Sequence, residues 1–138
     1  MRDSPKQSLI VGYDGSEPAR RALEHAADLV GRGATLTVIN VISVQSLSSR
    51  LQTVSDNERA KQDRLLLEAE MLLTRRGVNA DLVRAAGDPA TEILSAAASM
   101  AADVIVVGRR RGTSPRLIHG SLSNTLVRKA ASDVLVVH

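Results

Sequence analysis

The stretch VVGRRRGTSPRLIHGS, Val106 to Ser121, decides how the rest of the chain is read. It leaves an apolar run, DVIVVG, whose unbroken hydrophobicity is that of a short strand covered on both faces. Four arginines follow (Arg109, Arg110, Arg111 and Arg116), and the stretch ends on Gly120-Ser121, where helical spacing begins. A helix start presents unsatisfied N–H groups and the positive end of a dipole, so Gly120 and Ser121 are a candidate anion site. Gly108, without a side chain, would let a ligand approach the strand end, and the arginines would add forked hydrogen bonds to phosphate. The pattern does not say which anion is bound. A solvated arginine-rich loop before an ordinary helix cap is the competing reading.

Working outward, the chain alternates strand and helix. SLIVGY (Ser8 to Tyr13) reads as a strand ending in the turn signal DGS. Ala19, Ala22, Leu23, Ala26, Ala27 and Val30 then recur at helical spacing, predicting a helix over Glu17 to Val30 with Ser16 as cap and Pro18 in the first turn. ATLTVINVI (Ala34 to Ile42) is a second strand, and the serine-rich SVQSLSSRLQT after it reads as a mobile loop. SDNE (Ser55 to Glu58) is a capping-box pattern opening a charged helix to about Arg76, with Leu65, Leu66, Ala69, Leu72 and Leu73 as its apolar stripe. NADLVRAA alternates more than the other strands and is expected at a sheet edge. Asp88 and Pro89 sit where a cap and a first helical residue are favoured, and Ile93, Leu94, Ala97 and Ala98 are expected to face the core. A last helix is predicted over Ser121 to Ala130, followed by the strand DVLVVH.

This order predicts a single α/β domain over residues 1–138, with about 1–7 as a flexible tail and a mostly parallel five-stranded sheet between helices on both faces. Such sheets take ligands beyond the carboxyl ends of the strands, where the strand order reverses. GYDGS after the first strand and GRRRG…GS after the fourth are the two strand ends with suitable chemistry. Asp14 reads either as a polar contact to a nucleotide or its bound metal ion, or as a carboxylate stabilised by a helix dipole.

Composition narrows the classes. Of 18 Lys and Arg, six fall between Val104 and Ser132, where there is no acid; the remaining 12 share the chain with all 15 acids. An acidic body with one basic segment points to an anionic ligand. One tyrosine, Tyr13, and no Phe or Trp exclude an aromatic stacking platform, so nucleic acid is not expected as a partner. Without cysteine there is no disulfide framework, thiolate nucleophile or cysteine-bound metal. No long apolar signal core or membrane span is evident, and a cytoplasmic protein is expected. There is no Gly-Lys pair for a Walker loop, and Gly31-x-Gly33 follows a helix, against a dinucleotide fingerprint. His25, His119 and His138 have no visible orienting partner, and no catalytic set stands out, so efficient catalysis is not expected.

SLIVGYDGSEPARRALEHAADLV, LTVINV, GDPATEIL, DVIVVGRRRG and HGSLSNTLVRKAASDVLVVH together closely resemble the universal stress protein family, in order and across essentially the whole chain. The resemblance implies a three-layer fold related to nucleotide-binding hydrolases, with strand order 3-2-1-4-5, and a homodimer paired through the last strand, Asp133 to His138. It also implies ATP, with Mg2+, as the cofactor of a stress-response module acting on an unidentified signalling partner. ATP-binding members share G-x2-G-x9-G-[ST] after the fourth strand. Here Gly108 fits the first glycine, Arg111 stands at the second with Gly112 beside it, and the loop to Gly120-Ser121 is one residue short. The shortened loop leaves a second reading, a nucleotide-free interaction dimer. A pyrophosphatase or flavoprotein relative is disfavoured, because GYDGS lacks the S-G-G-x-D-S type of loop.

By this resemblance Asp14 matches the adenine-side acid, Val41 a backbone contact to adenine, and Ser121 and Ser123 the phosphate-side hydroxyls. The full candidate set is Gly12, Tyr13, Asp14, Val41, Val107, Gly108, Arg110, Arg111, Gly112, Gly120, Ser121, Leu122 and Ser123, with no catalytic residue and no protein metal ligand.

Overall fold

A computed structural model describes residues 7–43, 54–109 and 122–138 of the chain. The elements follow the predicted alternation: β1 (Leu9–Gly12), α1 (Glu17–Val30), β2 (Thr35–Ser43), α2 (Asp56–Arg75), β3 (Asn79–Gly87), α3 (Pro89–Ser99), β4 (Val104–Gly108), α4 (Leu122–Lys129) and β5 (Asp133–Val137). The five strands form one sheet in the order β3-β2-β1-β4-β5. Every neighbouring pair is parallel, so the sheet is wholly rather than mostly so. β3 is an edge strand, as its alternation requires, and its nine residues pair with β2 from Thr35↔Asn79 to Ser43↔Gly87. Most of the serine-rich segment, residues 44–53, and six of the seven residues of the expected tail lie outside the described residues.

Successive strand residues face opposite ways, and the two faces make two cores. Leu9, Val11, Leu36, Val38 and Val106 pack under α1 and α2 against Ala22, Leu23, Ala26, Leu66, Ala69 and Leu73. Ile10, Ile39, Ile105 and Val107 pack under α3 and α4 against Ile93, Ala97 and Leu126. That is why β1 and β4 read as unbroken apolar runs. Ile93 and Ala97 are buried as expected, whereas Ala98 is exposed. It falls one residue past Ala97 on a short helix, and a 100° step carries it off the buried face.

The caps act where the sequence places them. Ser16 accepts from the Ala19 N–H at 3.3 Å. Ser55 and Glu58 complete a capping box, with reciprocal bonds of 3.1 Å. Asp88 accepts from the Thr91 N–H at 3.0 Å and from its hydroxyl at 2.8 Å. These bonds, the backbone one first, hold the Asp88 carboxyl below the usual carboxylate range.

Candidate functional site

The chain builds β1, β2 and β3 outward on one side, then crosses back so that β4 lies on the other side of β1. The connections after β1 and β4 therefore leave in opposite directions, and a cleft of about 1100 Å³ opens over the carboxyl ends of the strands. That is ample for a nucleotide-sized ligand. Eight of the sequence-selected residues meet there: Gly12, Tyr13, Asp14, Val41, Val107, Gly108, Leu122 and Ser123. Arg110, Arg111, Gly112, Gly120 and Ser121 lie outside the described residues, as do Arg116 and His119.

The cleft has two unlike ends. One is formed by the end of β2 with the starts of α2 and α3. Its wall is aliphatic, from Val41, Ala90 and Ile93, and Lys61 and Asp88 stand at its rim. The other lies between β4, β5 and α4 and carries Arg109, Ser123, Thr125 and His138. Asp14 stands between them, exposed, with Oδ1 accepting from the Ser16 N–H at 2.9 Å. That Asx-type bond fixes the carboxylate two residues ahead of the α1 cap, so the sequence alternative of a carboxylate at a helix start is partly realised.

Two sequence-selected residues serve the scaffold in ways the sequence did not reveal. A Cβ on Gly108 would lie 2.3 Å from the Pro18 carbonyl carbon and 2.6 Å from the Ala19 nitrogen. The glycine is thus demanded by the first turn of α1 crossing β4, whatever its part in the cleft. Tyr13 reaches the cleft, but its ring is 2% exposed within the α1–α2 core. Its hydroxyl donates to Glu68, which also pairs with Arg20 at 3.4 Å. Burial first, and the bond to Glu68 second, push the Tyr13 hydroxyl from 10.0 up to about 12. Its N–H donates to the Ile39 carbonyl oxygen at 2.9 Å, so what Tyr13 offers the cleft is backbone surface rather than a free polar group.

Sequence reasoning passed over Asn40 and Gln62. Asn40 Nδ2 donates to the Tyr13 carbonyl oxygen at 2.8 Å. Gln62 Nε2 donates to the Asn40 carbonyl oxygen at 2.8 Å, to Asn40 Oδ1 at 3.1 Å and to the Ala85 carbonyl oxygen at 2.9 Å. A lone Asn inside the apolar run TVINVI was the available signal. Arg109, read in the sequence only as part of a charge cluster, lines the cleft beside His138, its Nη1 lying 3.4 Å from His138 Nδ1. Among the described residues no cluster of three or more His, Cys, Asp or Glu could hold a metal ion. Nor is any helix among them long and apolar enough to cross a membrane.

This architecture has close counterparts. Residues 6–138 match the model of the Universal stress protein family. The universal stress protein YxiE of Bacillus subtilis is 30% identical, over 94% of this chain and 97% of that protein. Among solved structures, a universal stress protein in complex with cAMP superposes with a TM-score of 0.76 at 28% identity, over 96% of this chain and 97% of that one. UspA from Lactobacillus plantarum shares the fold with a TM-score of 0.82 at 22% identity, over 99% and 100% of the two chains.

Proposed function

The chain belongs to the universal stress protein family, and we propose that it is an ATP-binding stress-response module whose ligand lies across the carboxyl ends of β1 and β4. One observation carries the reading: residues selected from the sequence at four separate places line a single cleft at the point where the strand order reverses. The nucleotide complex of a relative at 28% identity supports the class of ligand. In this reading the adenine lies in the aliphatic slot of Val41, Ala90 and Ile93, which suits a protein with no stacking aromatics there. Asp14 accepts from the exocyclic amine and the Val41 backbone reads the ring edge. The phosphates extend toward Arg109 and Ser123, and Gly120 and Ser121, outside the described residues, remain the sequence candidates for further contacts. Mg2+, brought by the phosphates, would neutralise their charge.

Binding, rather than chemistry, is the function this set supports. The sequence offers no recognisable catalytic set, and hydrolysis at most slow is the reading. We place the protein in the cytoplasm, as a homodimer through β5. That strand pairs with β4 alone among the described strands, and Val134, Leu135 and Val136 are only half-buried. Light scattering at micromolar concentration should give a dimer mass; a monomer mass contradicts this arrangement.

Calorimetric titration with Mg-ATP tests the central reading. Saturable heat and a raised melting temperature at millimolar ATP are expected. The absence of both would favour the second reading, a nucleotide-free interaction dimer, which Arg111 and the shortened loop support. Mass spectrometry of gently purified protein for a retained nucleotide separates the same two readings independently.

A further inference from the structure

Asn40 and Gln62 are 7% and 4% exposed, and neither has a counterpart of its own kind in the apolar face it belongs to. Burying an amide is costly unless it is hydrogen-bonded, and an apolar pair of the same size would fill this space without that demand. What the amides do is join strand ends. The Asn40 side chain holds the Tyr13 carbonyl of the β1 end, and Gln62 holds the Asn40 and Ala85 carbonyls of β2 and β3 from α2. Each joint falls beside a proposed base contact. Tyr13 immediately precedes Asp14, Asn40 immediately precedes Val41, and Ala85 is the register partner of Val41.

We infer that Asn40 and Gln62 are positioning residues: a strut that fixes the spacing between Asp14 and the Val41 backbone and so sets which base the cleft accepts. The inference deepens the nucleotide reading above and rests on it for its ligand. Beyond Gly12↔Ile39 the β1–β2 register has ended, and the Tyr13 N–H to the Ile39 carbonyl and the Asn40 amide to the Tyr13 carbonyl are the bonds that carry the alignment on. Remove the Gln62 amide and the Asn40 carbonyl, the Asn40 side-chain oxygen and the Ala85 carbonyl each lose their bond to α2. The two base contacts then become free to separate.

The test uses Gln62→Met, which keeps length and removes the donor, with Gln62→Asn, one methylene short, where the first variant does not fold. On the unliganded protein, amide hydrogen exchange at Tyr13 and at Val41 to Ser43 should accelerate on the order of tenfold, with Ile105 to Val107 and Val134 to Val136 unchanged. Uniform acceleration, or none, overturns the strut. In the ligand arm, calorimetry compares ATP, GTP and inorganic tripolyphosphate. Wild type should prefer ATP to GTP, and the variant should lose about tenfold of that preference while its tripolyphosphate affinity holds. Equal wild-type affinities for ATP and GTP, or a ratio unchanged in the variant, overturn the assignment of base selectivity. A wild type that binds neither nucleotide sinks the nucleotide reading instead, and the exchange arm still decides whether the strut positions the strand ends.

Discussion

At the β2 end of the cleft, Asn40 and Gln62 are buried and direct their amides at strand-end carbonyls, under a helix that buries Gln62, Leu66, Ala69 and Leu73. At the β4–α4 end, Arg109 and His138 are exposed, Ser123 is half-buried, and the eight residues of α4 are anchored by one fully buried side chain, Leu126. Among the described residues, the first end is tied together by buried amides and the second presents exposed polar and charged side chains. A shape-reading pocket needs the first kind of construction, because a base is discriminated by the spacing of a few polar groups. Gripping phosphate needs less, because charge acts over a distance and tolerates movement. The difference teaches where specificity and where attraction are expected to reside.

The largest effect should come from Leu126, the fully buried side chain of α4. Leu126→Ala is expected to cost about 3 kcal/mol of stability, measured by urea unfolding, and to weaken tripolyphosphate binding more than adenosine binding. Equal losses for the two ligands would erase the distinction between the ends. Gly108→Ala comes next, at about 2 kcal/mol or more, because the new methyl meets the α1 backbone and neither element can yield cheaply. Gly12→Ala, whose Cβ would meet only the Ile93 and Val107 side chains at 3.3 Å, should cost less than about 1 kcal/mol. If the two alanines cost the same, the close crossing of α1 over β4 is misdescribed.

Tyr13 sharpens the comparison at high pH. Its hydroxyl is raised from 10.0 to about 12 in the folded protein, so the protonated phenol favours folding. That contribution is intact below pH 10, and it should fade as pH rises toward 12. Tyr13→Phe should remove this alkaline dependence, with both proteins followed by chemical denaturation across that window. A modest effect is expected at Asp88, whose carboxyl is lowered by its cap bonds to Thr91. Its stabilisation should be present above about pH 4 and disappear as pH falls through the lowered value. Asp88→Ala should cost about 1 kcal/mol at neutral pH, and Asp88→Asn should keep the cap while losing the acid dependence.

Much of this was legible in the residues because the determinants are local or periodic. Caps at Ser16, Ser55 and Asp88 announce helix starts through side-chain chemistry acting within three residues. The unbroken runs of β1 and β4 and the alternation of β3 announce their places in the sheet through burial alone. The position of the cleft followed from connectivity. What was hidden depended on contacts distant in sequence. The packing demand on Gly108 was hidden, because nothing near it in sequence reveals that Pro18 crosses within touching distance. That the Tyr13 side chain turns into the core was hidden, because the Glu68 that accepts from its hydroxyl is 55 residues away. Gln62 looked like one more polar position on a charged helix, and its role exists only once α2 lies over the ends of β2 and β3.

The most direct test of the two-ended cleft is an amide chemical-shift titration of the labelled protein with adenosine, with tripolyphosphate and with Mg-ATP. Adenosine should shift Asp14 and Val41 to Ser43, tripolyphosphate should shift Gly108, Arg109 and Ser123, and Mg-ATP should shift both groups at once. Shifts confined to another face of the sheet, or the same residues answering to adenosine and tripolyphosphate alike, would contradict it.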